Sequence, residues 1–365
     1  MENLSLNYTA IGSLPLKSGG APKEAVEFIF EHFAQIPFLP QLPHYDRHDD
    51  MILQFCNKIA GLKCVEEGKY VFNPEDDEFY AQLEELFVDY ETVLAADTLD
   101  EVADLLDKYG GFKNDETFKL FLEHLEKTQP KYVKSSVTGP FTFATSLQDQ
   151  MQKCAFYDDT LRDVALKSLV LKALWQMKEF KKVAPNALPI IFMDEPSISQ
   201  IGSCAFLTVK NPDVVDVLRE LSDAIKKFGG ISAIHCCGKT DWDISFKSNV
   251  DIINFDAFFY AESLATFAKS VDEFLKRGGM LAFGVIPTLD KDALQTIDAE
   301  GAVLKFEEAL KYLTDKNIDK QLILKQTIIT PSCGCGSLSV EEAKKALSLT
   351  RELSLALKEK YGAVL

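Results

Sequence analysis

Basic residues are in deficit in this chain. There are 39 lysines and arginines against 56 aspartates and glutamates, a formal net charge of −17 with a pI near 4.8. Such a balance disfavours sequence-independent attraction to nucleic acid or to an anionic membrane, both of which need basic patches. Long apolar runs are missing too: no stretch approaches the roughly 18 uninterrupted apolar residues of a membrane-spanning helix. The opening MENLSLNYTAIGSLP has no basic segment followed by an apolar one, so no secretory signal is read there. The expectation is a cytoplasmic protein with neither nucleic acid nor membrane as partner. No Pro/Ser linker, low-complexity tract or long-period repeat interrupts the chain, which is therefore expected to form a single domain over residues 1–365. A glycine-rich phosphate loop is absent as well, since IGSLPLKSGG has the spacing of neither a dinucleotide fingerprint nor a P-loop.

What is present is a repeated grammar of amphipathic helix, glycine pair and short apolar run. LRELSDAIKKFGG leads into ISAIH, and SVDEFLKRGG leads into MLAFG. A long helical stretch from about Thr160 to Lys182 precedes LPIIFMDEP, and EGAVLKFEEALKYLTDK precedes QTIITP. The apolar runs show little polar alternation, as parallel strands covered on both faces do. Regular alternation of helix and strand without a phosphate loop predicts an α/β fold, a closed (β/α)8 TIM barrel with additional N-terminal helices. Nine runs compete for the eight places: YTAIGS, LPQL, YVFN, KYVKSSVTG, LPIIFMD, ISAIH, VDIINFD, LAFGV and QTIITP. One early run must lie outside the barrel. Ser339 and Glu342 have capping-box spacing at the start of a last, amphipathic helix.

Histidine is scarce, five in all, yet one of them stands against two of the eight cysteines in ISAIHCCG. Reduced cysteines in a cytosolic protein point to metal binding or catalysis more than to disulfides. On an extended strand His235 and Cys237 share a face and Cys236 takes the other. The end of a barrel strand is where functional groups gather. Alone, the pair could equally be a core histidine beside small buried residues. A second cluster, TIITPSCGCGS, delivers Cys333 and Cys335 at the end of the last strand, and His235, Cys237 and Cys333 together make a nitrogen and sulfur set suited to zinc. Ligands this far apart in sequence fit an open catalytic site better than a closed zinc knuckle. Sequence does not separate Cys333 from Cys335. Asp194 and Glu195 follow one strand and Asp256 another. Asp256 reads either as a helix cap or as a fourth, displaceable ligand, and Ser13 either as a turn residue or as part of the site.

Together these motifs resemble the superfamily of cobalamin-independent methionine synthases, corrinoid:thiol methyltransferases and uroporphyrinogen decarboxylase. They are IGSLP, DRHDDMILQF, VTGPFT at 137–142, DEPS at 194–197, HCC, and PSCG at 331–334. His-x-Cys followed by Pro-x-Cys-Gly is the specific part and is similar to the zinc-dependent methyltransferase branches. The resemblance implies a zinc-dependent methyltransferase acting on a thiol, homocysteine giving methionine. It implies zinc on His235, Cys237 and Cys333, with Asp256 where the synthase has a fourth, glutamate ligand. Asp194 matches the aspartate that holds the substrate amino group, Ser13 matches a serine near its carboxylate, and Glu195 is grouped with them as substrate-binding. Tyr45 falls near a position where the synthase carries a further amine-binding glutamate. A chain of barrel length implies methylcobamide as methyl donor, free or on a corrinoid protein partner, ahead of methylfolate. Coenzyme M or another thiol as acceptor, and a non-catalytic zinc-binding subunit, are the rival readings. Porphyrinogen decarboxylation is disfavoured, because Lys17, Lys23 and Arg47 form no arginine cluster.

Overall fold

The computed structural model describes residues 4–112 and 115–362. Its strands are β1 (Asn7–Tyr8), β2 (Leu62–Glu66), β3 (Lys69–Phe72), β4 (Tyr132–Thr138), β5 (Gln148–Asp149), β6 (Leu188–Asp194), β7 (Ile231–Cys236), β8 (Ile252–Asp256), β9 (Met280–Ile286) and β10 (Thr327–Pro331). Seven of them form one sheet in the order β1-β10-β9-β8-β7-β6-β4, parallel at every pairing. Helices connect its strands, among them Asp159–Val183, Asn211–Lys227 and Ala299–Thr314, and the helix Val340–Tyr361 follows β10. The fold is α/β, built on a curled parallel sheet.

Two of the early runs are not ladder strands of this sheet, where one was expected to lie outside it. YVFN belongs to β3, which pairs antiparallel with β2 and parallel with β5 in a separate three-stranded sheet. A half-buried hairpin strand carries the same local apolar pattern as a sheet strand, and the pattern alone does not distinguish them. LPQL, the other early run, forms no continuous ladder. Its segment reads Ile36-Pro37-Phe38-Leu39-Pro40-Gln41, and each proline lacks the N–H that a ladder needs. The remaining donors are used in turn on the two edges of the sheet. Leu39 N–H donates to Lys134 O at 2.8 Å and Lys134 N–H to Pro37 O at 2.8 Å, while Gln41 N–H donates to Gly12 O at 3.1 Å and Leu14 N–H to Gln41 O at 2.9 Å. Isolated bridges Phe38↔Lys134 and Ser13↔Gln41 result. Residues 37–41 thereby lie across the gap between β4 and the chain leaving β1.

Side-chain alternation along the strands divides the core in two. Tyr132, Ile190, Phe192, Ile231, Ala233, Ile252, Met280, Ala282 and Ile328 form one apolar cluster, joined by Leu4 and Ile36. It lies on the concave side. The alternate residues, among them Val133, Ile191, Met193, Ile234, Ile253, Leu281, Phe283 and Ile329, join the larger cluster that the helices cover. Burial of one such side chain stabilises the fold by roughly 1.5–3 kcal/mol. The concave columns then change character towards the carboxyl ends. Phe192 is followed two residues on by Asp194, Ala233 by His235, Ile252 by Asn254 and Ile328 by Thr330. A ring of polar side chains therefore sits on an apolar floor.

The helix boundaries follow their chemistry. Asn211–Lys227 and Ala268–Lys276 end before Gly229 and Gly278, whose φ values of 76° and 95° suit glycine. Among the described residues no helix is long and apolar enough to cross a membrane. The last helix begins with the capping box expected from sequence: Glu342 N–H donates to Ser339 Oγ at 3.2 Å, and Ser339 N–H to Glu342 Oε2 at 2.8 Å. Ser339→Ala is expected to cost about 1 kcal/mol, read as a lower urea midpoint at unchanged slope.

Candidate metal centre

His235 is the last residue but one of β7, Cys237 comes directly after that strand, and Cys333 lies two residues beyond β10. Their ligand atoms all lie within 4.8 Å of one another, the one group of this kind among the described residues. Two strands that are not neighbours in the sheet are thus brought together across its concave side. Cys236 points into the helix-covered core, as alternation requires, and burial pushes its thiol up to about 12. Cys335 is 2% exposed in the same core and its thiol is likewise pushed up to about 12 by burial. The sulfur that meets His235 and Cys237 is that of Cys333.

A shell of hydrogen bonds sets each group. His235 Nδ1 is bonded to Asn254 Oδ1 on β8. The amide of Asn254 is itself fixed, since Nδ2 donates to Ala282 O at 2.9 Å and to Thr330 Oγ1 at 2.7 Å. Its oxygen must then face the imidazole, which makes Nδ1 the protonated nitrogen and leaves Nε2 with a free lone pair. Thr288 brackets the Cys333 backbone: Cys333 N–H donates to Thr288 Oγ1 at 2.9 Å, and that hydroxyl donates to Cys333 O at 3.1 Å. Ser13 holds the same loop from the other side. Cys335 N–H donates to Ser13 O at 2.9 Å and Gly336 N–H to Ser13 Oγ at 3.3 Å. A Cβ on Gly334 would come within 2.1 Å of Ser13 Oγ, so glycine is needed for this approach. The first strand's extension and the last loop are clamped together.

The carboxylates divide by role. Asp256 is 1% exposed; its Oδ1 accepts the Phe259 N–H at 2.9 Å and its Oδ2 is buried without a partner. It therefore does cap the turn that follows β8, with one oxygen left over. Its carboxyl does not belong to the close His-Cys-Cys group, and burial pushes it up to about 7. Asp194, at the end of β6, has Oδ1 buried and unpartnered, and burial raises its carboxyl, with Lys134 the largest opposing influence. Glu195 is turned elsewhere. Its oxygens accept Phe141 N–H at 2.8 Å, Thr142 N–H at 2.9 Å and Thr142 Oγ1–H at 2.6 Å, capping the helix Pro140–Ser146. A Cβ on Gly139 would come within 2.1 Å of the Glu195 side chain, which explains Gly-Pro-Phe-Thr as a socket for this carboxylate. Tyr45 donates its hydroxyl to Glu116 Oε2 at 2.9 Å, while its neighbour His44 contacts Gly336 O at 2.9 Å.

The electrostatics of the triad follow from this packing. The two sulfurs act on each other in opposite senses: Cys333 draws the Cys237 thiol down, and Cys237 together with burial pushes the Cys333 thiol up. Burial pushes the His235 imidazole down, and the neighbouring Cys237 and the Asp194 charge more than offset that. A buried imidazole nitrogen and two carboxylate oxygens without partners, His235 Nε2, Asp194 Oδ1 and Asp256 Oδ2, converge on one end of the sheet. Such atoms are costly unless something fills the place between them. Two sulfurs and a neutral imidazole with its second nitrogen already committed are a donor set that zinc accepts. The residues fit the metal.

This arrangement defines an α/β protein with a nitrogen–sulfur cluster at the carboxyl end of a curled parallel sheet. No protein-family model and no curated protein sequence matches the chain. A solved structure does: a B12-independent methionine synthase from Shewanella sp. W3-18-1, in complex with selenomethionine, matches with a TM-score of 0.56 at 15% sequence identity. The match covers 99% of this chain and 100% of that one, and it is a likeness of fold.

Sequence reading passed over Asn254, Thr288, Thr330, Lys134 and Ser136. Asn254 had a signal, because it stands two residues before Asp256 and so shares its face. Asn254→Ala is expected to lower metal affinity about 10- to 100-fold while the fold is kept, measured by competition with a chromophoric chelator.

Proposed function

We propose that this protein is a zinc-dependent methyltransferase that transfers a methyl group to a thiol, with homocysteine as acceptor and methionine as product. The observation that carries the reading is the convergence of His235, Cys237 and Cys333 within 4.8 Å at the carboxyl ends of two distant strands. The segment 37–41 is read as the eighth, proline-broken stave of a closed (β/α)8 barrel. The fold neighbour binds selenomethionine, the selenium analogue of the proposed product, which supports an amino-acid acceptor.

His235, Cys237 and Cys333 would hold the metal, and the Asp256 carboxylate, with one oxygen free, is the nearby group available as a fourth, exchangeable ligand. Bound zinc supplies a centre at which a thiol, mostly protonated at neutral pH, becomes a thiolate without any change of oxidation state. The protein's own groups do the rest. Asn254 keeps the His235 tautomer with Nε2 free, and Thr288 and Ser13 fix the loop that presents Cys333. Asp194, at the inward end of β6, takes the substrate ammonium on its free oxygen. The apolar floor formed by Phe192, Ala233 and Ile252 closes the site to water from below.

The donor is proposed to be a methylated corrinoid, delivered free or by a corrinoid protein, with methylfolate as the alternative. The thiolate electron pair forms the S–C bond, the Co–C electron pair stays on cobalt, and the thiol proton is released. The neighbour of the same extent is called B12-independent, so chain length does not choose between corrinoid and folate, and the assay carries both.

Purified protein is expected to hold close to one zinc per chain, measured by mass spectrometry of the metal. Cys237→Ser and Cys333→Ser should each lose it, whereas Cys335→Ser should keep it at some cost in core packing. Retention of full zinc by both of the first two variants contradicts the site. With methylcobalamin or methylfolate and homocysteine, the wild type should form methionine and chelation should abolish it; undiminished turnover after chelation contradicts the function.

A further inference from the structure

The polar ring also contains one buried ammonium group. Lys134 stands on the concave column of β4, above Tyr132 and below Ser136, and is 1% exposed. Its ammonium donates to Ile11 O and, at 3.1 Å, to Ser136 Oγ, and lies 4.6 Å from the centroid of the Phe192 ring. Both hydrogen-bond partners are neutral oxygens. Taking an ammonium out of water without a paired charge carries an effective penalty of several kcal/mol. A methionine of similar length would fill this place at less cost, so packing does not explain the lysine.

The geometry above the ammonium offers an explanation. The register of β4 on β6 pairs Ser136 with Phe192 and Thr138 with Asp194, so Lys134, Ser136 and Asp194 rise in sequence towards the mouth of the site. Ser136 lies between them: it accepts from Lys134 at 3.1 Å, its hydroxyl donates to Ile11 O at 3.4 Å, and against burial it helps Lys134 draw the Asp194 carboxyl down. Asp194 keeps Oδ1 buried and without a partner. We infer that Lys134 is a positioning residue for the acceptor substrate: through Ser136 and through its charge it holds the Asp194 carboxylate at the edge of the metal centre, with the free oxygen turned to a substrate cation. Burial pushes the lysine itself down to about 8, with Asp194 acting to hold its charge, as a mutual dependence of the two requires.

The consequence is selectivity. Asp194 alone is a carboxylate in an apolar wall beside two sulfurs, where negative charge is already concentrated. With Lys134 beneath it, the carboxylate is anchored from below and the substrate ammonium completes the pair from above. The site should then favour thiols that carry an ammonium over thiols that do not, and that preference should depend on Lys134. The inference rests on the proposed thiol methylation.

The test compares wild type, Lys134→Met and Ser136→Ala, each loaded with zinc, on two acceptors, L-homocysteine and 3-mercaptopropionate, and measures calorimetric binding of L-methionine without turnover. Lys134→Met should raise KM for homocysteine, and Kd for L-methionine, by about tenfold or more. KM for 3-mercaptopropionate, kcat and zinc content should stay near wild type, with a melting temperature no lower. Ser136→Ala should move the same constants in the same direction by less, and serves where the lysine variant folds poorly. In an Asp194→Asn background, Lys134→Met should add nothing further. Equal losses on both acceptors, or unchanged L-methionine binding in both variants, overturn the inference. A wild type that methylates neither thiol and binds no L-methionine overturns the proposed function instead.

Discussion

The period of two along an extended strand is the constraint on which the rest of this molecule depends. In a curled parallel sheet it sends every second side chain to the concave side, and there the composition of each column decides what is built. Four columns switch from apolar to polar within two residues of one another: Phe192 to Asp194, Ala233 to His235, Ile252 to Asn254 and Ile328 to Thr330. The apolar part packs and the polar part collects into a ring. A shift of register by one residue in β7 would turn His235 and Cys237 towards the helices and leave Cys236 in their place.

Polar groups placed on an apolar floor must satisfy one another or await a ligand. Most of the ring does the first. Asn254 joins His235, Ala282 and Thr330, and Thr288 joins Ser332 and Cys333. At the mouth, His235 Nε2, Asp194 Oδ1 and Asp256 Oδ2 are buried without a partner, in the same site as the sulfurs of Cys237 and Cys333. The satisfied groups are rigid and aim the unsatisfied ones, which is how a site is kept in order before its ligand arrives.

Much of this was legible in the sequence, and the reasons are specific. His235-x-Cys237 was readable because alternation on a strand is a strict rule, and the capping box at Ser339 because its spacing is fixed by a single turn of helix. Cys333 and Cys335 could not be told apart, because a Gly-Cys-Gly turn has no fixed period. The choice is made by the clamp of Ser13 against Gly334 and Gly336, a contact between the two ends of the chain. YVFN could not be singled out as the run outside the main sheet, since a hairpin strand and a sheet strand share one local pattern. Glu195 was grouped with the substrate, yet its carboxylate is consumed by the Pro140–Ser146 helix, a partner distant in sequence. Lys134 gave no signal, as a lysine between valine and serine reads as a solvated position until the sheet closes over it.

The central claim is that one imidazole and two thiolates from distant strands share a single divalent ion with room for a further ligand. X-ray absorption at the zinc edge of the loaded protein tests it most directly. Two sulfur scatterers at about 2.3 Å with nitrogen or oxygen at about 2.0–2.1 Å are expected, and a third sulfur on adding homocysteine. A spectrum with four sulfurs before any thiol is added, or with none, contradicts it.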